Sequence, residues 1–228
     1  MSEQGALGLH GDAPRIGDVE RVLAKRGATR VIGCDEAGRG PLAGPVTVAA
    51  VLLDPSEISW CEGLTDSKQL SAEQRAAWVP RIEAHALAWK VLHVPPEVID
   101  EKNILWASLE GMGEAAQALV GAAGEGAEVL VDGNRTMPNG PAPQRCLVKG
   151  DARSFAIAAA SVLAKEARDA VMRALDEAHP EYGFAQHKGY PTRQHLEALE
   201  AHGPCPAHRR SFGPVAAAYA TQASNAPR

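Results

Sequence analysis

The sequence predicts one α/β domain, with a mixed central sheet of about five strands flanked by helices and a helical C-terminal extension. Short apolar runs bounded by glycine indicate buried strands, and longer stretches with a 3.6-residue apolar period indicate helices. Two strands come first and strands then alternate with helices, which is typical of a mixed sheet. The 228 residues, 45% hydrophobic and 22% charged, suffice for one well-buried core and are few for two full domains.

The N-terminal residues 1–29 are expected to form a polar tail with a short helix near residues 17–26. They lack the basic-then-apolar pattern of a signal peptide, and no apolar stretch approaches the roughly 18 residues that span a bilayer. We therefore expect a cytoplasmic protein without membrane contact. The folded domain is expected to cover residues 30–215, with a short tail at 216–228, and nothing in the sequence demands more than a monomer.

The first two strands are predicted at residues 30–34 and 46–53. The connection between them is short and rich in glycine and proline, which favours a hairpin. Ser71, followed three residues later by Gln74, is a capping-box pattern that begins a helix to residue 86. The remaining predicted elements are a strand at 89–94, helical structure in two pieces over 97–121, strands at 128–131 and 144–148, and helices at 152–178, 192–201 and 214–220.

The four cysteines, Cys34, Cys61, Cys146 and Cys205, are far apart in the sequence. Without paired spacing they argue against a disulfide framework and fit a reducing compartment. Cys205 also lies in the pattern His202-x-x-Cys205-x-x-His208, but this is not a usual zinc spacing. A surface turn is the preferred interpretation of that segment.

The net charge of −5 does not by itself favour a nucleic-acid partner. The distribution is more informative, because residues 1–132 carry 11 basic and 20 acidic side chains and residues 133–228 carry 12 and 8. The basic C-terminal part is suited to phosphate contacts, while the acidic part favours solubility.

Three predicted strands each deliver acidic residues next to glycine at their carboxyl ends. These residues are Asp35 with Glu36, then Asp132, then Asp151. Ligands of open α/β sheets bind at that edge, and carboxylates brought together there would raise one another's pKa. A divalent cation removes that penalty, and two such ions can activate water and stabilise a leaving oxygen in phosphodiester cleavage.

Each acid also has a purely structural interpretation. Asp151 stands where the long helix is predicted to begin, and Asp is a favoured N-cap. Asp132-Gly133 is good turn chemistry. Asp35 and Glu36 are neighbours, so on a regular strand they face opposite sides of the sheet; both reach one metal pair only if the strand ends or bends between them.

Several motifs in order resemble the ribonuclease HII family, the type 2 ribonucleases H, over roughly residues 30–215. The matching segments are 33–46 (GCDEAGRGPLAGPV), 65–71 (TDSKQLS), 131–133 (VDG), 149–151 (KGD), 187–192 (HKGYPT) and 208–212 (HRRSF). The resemblance implies the ribonuclease H-like fold, cleavage of RNA in RNA–DNA hybrids, and nicking 5′ of ribonucleotides embedded in duplex DNA.

The resemblance also implies roles for individual residues. Asp35, Glu36, Asp132 and Asp151 would be the catalytic acids that bind Mg²⁺ or Mn²⁺. Gly38, Arg39 and Gly40 would read the ribose 2′-hydroxyl, the group that distinguishes RNA from DNA, and Tyr190 would pack on the next sugar. The expected further substrate contacts are Lys68, Asn103, Lys149, Lys188 and Arg209.

Alternatives stay open at this point. Taken singly, each of these cations is as well explained as a solvated surface charge, Tyr190 as a half-buried loop anchor and Asn103 as a helix terminus. The whole chain has a rival interpretation as a non-catalytic protein that binds hybrids on the same fold, and a further one as a phosphotransfer enzyme with a small-molecule substrate.

Overall fold

A computed structural model describes residues 15–225 of the chain. Its five-stranded sheet has the order β3-β2-β1-β4-β5. The strands are β1 (Val31–Ala37), β2 (Val46–Leu53), β3 (Ala88–Val94), β4 (Glu128–Asp132) and β5 (Gln144–Leu147). Every predicted strand is present. β1 continues three residues beyond the predicted end, so it contains both Asp35 and Glu36.

The helices account for most of the remaining chain. They are α1 (Asp18–Lys25), α2 (Ala72–His85), α3 (Pro96–Lys102), α4 (Ile104–Gln117), α5 (Val120–Ala123), α6 (Phe155–Ala178), α7 (Phe184–His187), α8 (Arg193–His202) and α9 (Gly213–Asn225). The capping box that begins α2 is present, as predicted. The stretch expected to hold two helices holds three, and α7 was not predicted.

Parallel pairing brings the acidic strand ends together. β1 pairs with β4 so that Cys34 is opposite Val131, and β4 pairs with β5 so that Asp132 is opposite Leu147. One step further along the first register, Asp35 comes level with Asp132. The carboxyl ends of these strands therefore form the shared edge that the sequence predicts.

Close packing of α6 on β1 requires glycine at position 33. A Cβ added to Gly33 would overlap the backbone of Ala156 and Ile157. Small residues on α6 permit this approach, since Ala156, Ala158, Ala159 and Ala160 are all buried in the main core. This contact fixes the start of α6 against the strand that carries Asp35.

Helix α1 is built into the core. Val19 and Leu23 are buried, and the Glu20 carboxylate accepts hydrogen bonds from the Ser154 hydroxyl (2.6 Å) and the Ala156 amide (3.1 Å). Burial raises the pKa of Glu20, an effect that these hydrogen bonds oppose. The predicted short helix is thus present and packs against the core. Residues 1–14 of the expected tail lie outside the described residues.

The chain divides into two compact units, whereas the sequence suggested one domain. Within the described residues, the first contains 15–37, then Val48–Leu92 and Leu109–Glu166. The second contains Gly38–Thr47, His93–Ser108 and 167–225. Among residues 15–225, none of the helices is both long and apolar enough to cross a bilayer.

Candidate active site

Asp35 lies buried in β1, within the first unit. Its Oδ1 accepts a hydrogen bond from the Glu36 amide at 2.7 Å, and the Ser161 hydroxyl also hydrogen-bonds to the carboxylate. Burial raises the pKa of Asp35 well above its ordinary value, and the negative charges of Glu36 and Asp132 raise it further. Asp35 is therefore a carboxylate whose charge demands a positive partner.

Asp132 is the last residue of β4, and its side chain connects that strand to the turn that follows β5. Its Oδ1 accepts a hydrogen bond from the Gly150 amide at 2.7 Å. Gly133 follows with a φ of 99°, a left-handed conformation that favours glycine. Burial raises the pKa of Asp132, while the Gly150 hydrogen bond and the Lys68 charge act in the opposite direction.

Asp151 lies in a 3₁₀ turn, Gly150–Ala152, ahead of α6. The N-cap interpretation of Asp151 is wrong, because α6 begins only at Phe155 and the Ser154 hydroxyl accepts from the Ile157 amide (3.2 Å) instead. Burial raises the pKa of Asp151, as do the charges of Asp132 and Asp66. Asp151 therefore does not cap α6, and its carboxyl lies close to those of Asp132 and Asp66.

Lys68 supplies positive charge to this group of acids. Its ammonium lies 3.6 Å from Asp151 Oδ2, on a side chain that is 81% exposed. Asp151, Asp66, Asp35 and Asp132, in that order of strength, all raise the pKa of Lys68 against the opposing effect of desolvation. One flexible cation thus interacts with three of the four predicted catalytic acids.

Asp66 and two serines were not predicted as site residues. The Asp66 carboxyl hydrogen-bonds with that of Asp151 and also accepts from the Lys68 amide at 2.9 Å. Ser67 and Ser161 are both buried and share a hydrogen bond of 2.8 Å, which continues from Ser161 to Asp35. The segment 65–71 was noticed as a motif, but only the fold shows that it turns toward these acids.

Glu36 is the neighbour of Asp35 on a regular strand, so the two side chains are expected to face opposite sides of the sheet. β1 neither ends nor breaks between Asp35 and Glu36, and Asp35 is buried while Glu36 is only half-buried, as expected for opposite faces. Within residues 15–225, no three Asp, Glu, His or Cys side chains are already gathered closely enough to hold a metal ion. The acids are linked in pairs, Asp35 with Asp132 and Asp132 with Asp151.

These donors nevertheless fit a hard divalent cation. Carboxylate oxygen is the ligand that Mg²⁺ and Mn²⁺ prefer, and three of the four acids carry pKa values raised by burial, so a cation would relieve an existing cost.

The loop from Gly38 to Pro45 belongs to the second unit and is held from within. Gly38 has a φ of 95°, which favours glycine. The Arg209 guanidinium donates to the carbonyls of Gly38 (2.7 Å), Arg39 (3.1 Å) and Gly44 (2.9 Å). Arg209 is fully buried, so its position does not support the expected phosphate contact; it holds the loop.

Tyr190 has an exposed ring and a tightly held backbone. The ring is close to Gly40, where an added Cβ would lie 3.2 Å from Tyr190 Cε1. The Tyr190 carbonyl accepts from His195 Nδ1 at 3.0 Å, and His195 Nε2 lies 3.0 Å from His208 Nε2. The Cys205 amide donates to His208 Nδ1 at 3.0 Å, so His208 carries its proton on Nε2 and donates it to His195.

His195 and His208, which are hydrogen-bonded to each other, are both neutral. Burial lowers the pKa of His195, and burial followed by the neighbouring His195 lowers the pKa of His208 to about 4. The expected surface turn at this position is wrong, because Cys205 and His208 are buried. Their hydrogen bonds give the segment a structural role in anchoring Tyr190.

The remaining predicted contacts differ in exposure. Lys149 is exposed and Lys188 is half-buried, with its Nζ donating to the Ala185 carbonyl. The Asn103 side chain accepts from the amides of Leu105 (3.0 Å) and Trp106 (3.2 Å). Asn103 therefore has the helix-terminus role at the start of α4 that the sequence left open.

Comparison with known families and proteins identifies relatives of this chain. A family model described as Ribonuclease HII matches residues 32–215. A protein named Ribonuclease HII from Chromobacterium violaceum is 53% identical over 188 residues, which cover 82% of this chain and 92% of that protein.

Solved structures agree with this result. Ribonuclease H2 from Pyrococcus horikoshii OT3 superposes with a TM-score of 0.72 at 26% identity, covering 86% of this chain and all of that one. Bst-RNase HIII in complex with Mn²⁺ gives a TM-score of 0.69 at 20% identity, covering 87% of this chain and 72% of that one, which supports the fold alone. The predicted mixed five-stranded architecture is therefore confirmed.

Proposed function

This chain belongs to the ribonuclease HII family and is a metal-dependent ribonuclease H endonuclease, and from that premise we propose that Asp35, Glu36, Asp132 and Asp151 form its catalytic metal site. The observation that carries the proposal is the burial of Asp35 and Asp151 and the partial burial of Asp132, with raised pKa values for all three. Isolated buried carboxylates are costly to a fold. A bound cation would offset this cost, which a purely structural role of these acids would not do.

The four acids are proposed to act as oxygen ligands, and Glu36 is included because its charge lies close enough to Asp35 to raise the pKa of that carboxyl. Two divalent ions held there would supply an activated water and would stabilise the leaving oxygen of phosphodiester cleavage. The Gly150 amide orients the Asp132 carboxylate and the Ser161 hydroxyl orients that of Asp35. Lys68, with its exposed and mobile ammonium, is suited to a phosphate contact once metal ions balance the charge of the acids.

We propose Mg²⁺ or Mn²⁺ as the natural ion. All four candidate ligands are carboxylates, which suit hard cations and offer no soft sulfur or imidazole donor that would favour zinc. The Bst-RNase HIII relative is described with Mn²⁺. Nicking of a one-ribonucleotide duplex with each metal chloride tests this; activity with Zn²⁺ and none with Mg²⁺ or Mn²⁺ would count against it.

The proposed substrates are RNA–DNA hybrids and duplex DNA that contains ribonucleotides, nicked on the 5′ side of the ribonucleotide. Backbone groups of Gly38, Arg39 and Gly40 are proposed to recognise the 2′-hydroxyl, and the exposed Tyr190 ring to pack on the following sugar. Lys149 and Lys188 are proposed as phosphate contacts. We retain Asn103 as a proposed nucleic-acid contact through its exposed position, in addition to its capping role.

The direct experiment uses a DNA duplex with one embedded ribonucleotide and an all-DNA duplex of the same sequence. With Mg²⁺, a nick is expected 5′ of the ribonucleotide while the control duplex stays intact. An intact ribonucleotide duplex would refute the proposal. The rival hybrid-binding protein without catalysis would bind the duplex and leave it whole, and a pure binder gains nothing from mutually repelling acids.

We further propose that the enzyme acts as a monomer in the cytoplasm. None of the four cysteines, which all lie within the described residues, forms a disulfide, which is typical of a reducing compartment. Sedimentation or light scattering of the purified chain checks the monomer, and a dimer mass at micromolar concentration would contradict it.

A further inference from the structure

We propose that Arg209 and Arg168 are positioning residues that set the peptide planes of the loop from Gly38 to Pro45. The inference rests on the proposed function, because it concerns the segment assigned to 2′-hydroxyl recognition. Neither arginine would contact the nucleic acid. Both would act through the loop backbone, inside the second unit.

Arg209 binds two successive peptide groups of the recognition segment. Its Nη2 donates to the Gly38 carbonyl at 2.7 Å and its Nη1 to the Arg39 carbonyl at 3.1 Å, while Nε donates to the Gly44 carbonyl at 2.9 Å. The side chain has 0% exposure. The planar guanidinium therefore spans the two ends of the loop at once, which a single-point donor cannot do.

Because the peptide bond is planar, the direction of each bound carbonyl also fixes the direction of the following amide. In a trans peptide the carbonyl of one residue and the N–H of the next point in opposite directions. With the Gly38 and Arg39 carbonyls directed at Arg209, the amides of Arg39 and Gly40 are directed away from it. Two consecutive donors are thus oriented to one side, as recognition of a ribose hydroxyl through backbone groups requires.

Arg168 fixes the remainder of the loop. Its Nε donates to the Pro45 carbonyl at 3.0 Å, and its Nη2 donates to the carbonyls of Ala43 (3.2 Å) and Lys188 (3.1 Å). A Cβ at Gly38 would overlap the Arg168 guanidinium. Gly38 is therefore required by the close approach of Arg168 as well as by its own φ.

Burying two guanidiniums costs free energy, which argues that these arginines do more than fill space in the core. Both guanidiniums are buried, and burial lowers the pKa of Arg168 and lowers that of Arg209 to about 9, with the Arg168 charge as the next cause for Arg209. Two like charges buried together destabilise a fold unless their donors are satisfied. Six backbone carbonyls provide that satisfaction, and five of them belong to the loop: those of Gly38, Arg39, Ala43, Gly44 and Pro45.

The test measures recognition separately from chemistry. In an Asp132→Asn background, the dissociation constants for the one-ribonucleotide duplex and the all-DNA duplex give a discrimination ratio. Arg209→Lys and Arg168→Lys keep the charge but remove the fork, and each is expected to lower that ratio at least about tenfold. Arg193→Gln is the control, because Arg193 is exposed and paired with Glu197 on α8.

Thermal unfolding and calorimetric Mg²⁺ binding, measured without Asp132→Asn, accompany each variant. Unchanged Mg²⁺ binding with a reduced ratio supports the inference. A folded Arg209→Lys and a folded Arg168→Lys that both discriminate as the parent does would overturn it. If the lysine variants do not fold, Arg209→Gln and Arg168→Gln replace them, since each removes one of the two buried like charges along with the fork, and the same ratio decides. Failure of the proposed function is distinct, because the unsubstituted enzyme would then not nick at the ribonucleotide.

Discussion

The Lys68 ammonium lies 3.6 Å from the Asp151 carboxylate. The same ammonium interacts with Asp35, Asp66 and Asp132, so one side chain partly balances the charge of the acids in the absence of metal. Lys68 follows Asp66 and Ser67, whose side chains hold the short turn that presents it. A divalent cation entering this group of acids would meet a positive charge already present.

Lys68→Gln is therefore expected to tighten Mg²⁺ binding by about five- to thirtyfold, because a unit charge some 4 Å away costs a second unit charge about 1 kcal/mol in water and a divalent ion about twice that. Calorimetric titration measures the change. Cleavage is expected to fall at the same time if Lys68 contacts phosphate. Lys90→Gln, on the exposed edge of β3, is the matched control. Weaker Mg²⁺ binding in Lys68→Gln would mean that Lys68 helps to organise the acids.

Asp35→Asn and Asp132→Asn are expected to reduce cleavage by more than about a hundredfold, since loss of groups that merely support a metal ligand already costs about 10–100-fold. Binding to a hybrid duplex should persist, because neither change adds bulk. Gel-based cleavage and fluorescence anisotropy measure the two properties. Cleavage within tenfold of the parent in either variant would move the chemistry away from these acids.

Gly33→Ala tests the packing that fixes α6 against β1. Its methyl group would overlap the backbone of Ala156 and Ile157, so we expect a loss of about 1–3 kcal/mol in the free energy of unfolding, measured by urea denaturation. Gly121→Ala is the control, because Gly121 lies in α5 with nothing within 4 Å of an added Cβ. That change should be neutral or stabilise by about 0.5–1 kcal/mol. Equal stability of the two variants would contradict the packing.

Acid is expected to destabilise the buried histidine chain. The pKa of His208 is about 4 in the folded protein and about 6.5 in an unfolded chain. Between these values the unfolded chain takes up a proton that the folded protein does not, so stability is complete above pH 6.5 and falls as the pH drops toward 4. The loss from His208 alone is at most about 3 kcal/mol.

His208→Asn separates this contribution from that of the acids, whose raised pKa values act with the opposite sign. The variant should be less stable at neutral pH and show a weaker decline between about pH 6.5 and 4.5 in chemical denaturation. A decline as steep as that of the parent protein would show that another group is responsible.

Local sequence signals predicted most of the fold. The capping box of α2, the apolar strands and the periodicity of α6 are short-range patterns, and each element appears near its predicted place. The strand-end acids were predictable because the carboxyl ends of neighbouring strands share one edge. Asp151 was harder, since capping and metal binding use the same residue type at the same place, and only the start of α6 at Phe155 separates them.

Long-range contacts were not predictable. Arg209 bonds to carbonyls 165–171 positions earlier in the chain, and a basic residue gives no sign in its own neighbourhood that it will be buried. The burial of His208 is similar, because its partner His195 lies on another element. Asp66 was hidden for a different reason: its turn is fixed by a serine pair that joins residues 94 positions apart.

The bond from Ser154 to Glu20 has a practical consequence for the boundary of the enzyme. The family model begins at residue 32, beyond α1, yet the Glu20 carboxylate binds the first turn of the helix that carries Ser161. A fragment trimmed to the family boundary would lack Val19 and Leu23 and so expose the core residues that they cover. It would also leave the Ala156 amide without its acceptor, Glu20. Fragments for crystallisation or fusion should retain Gly17 onward.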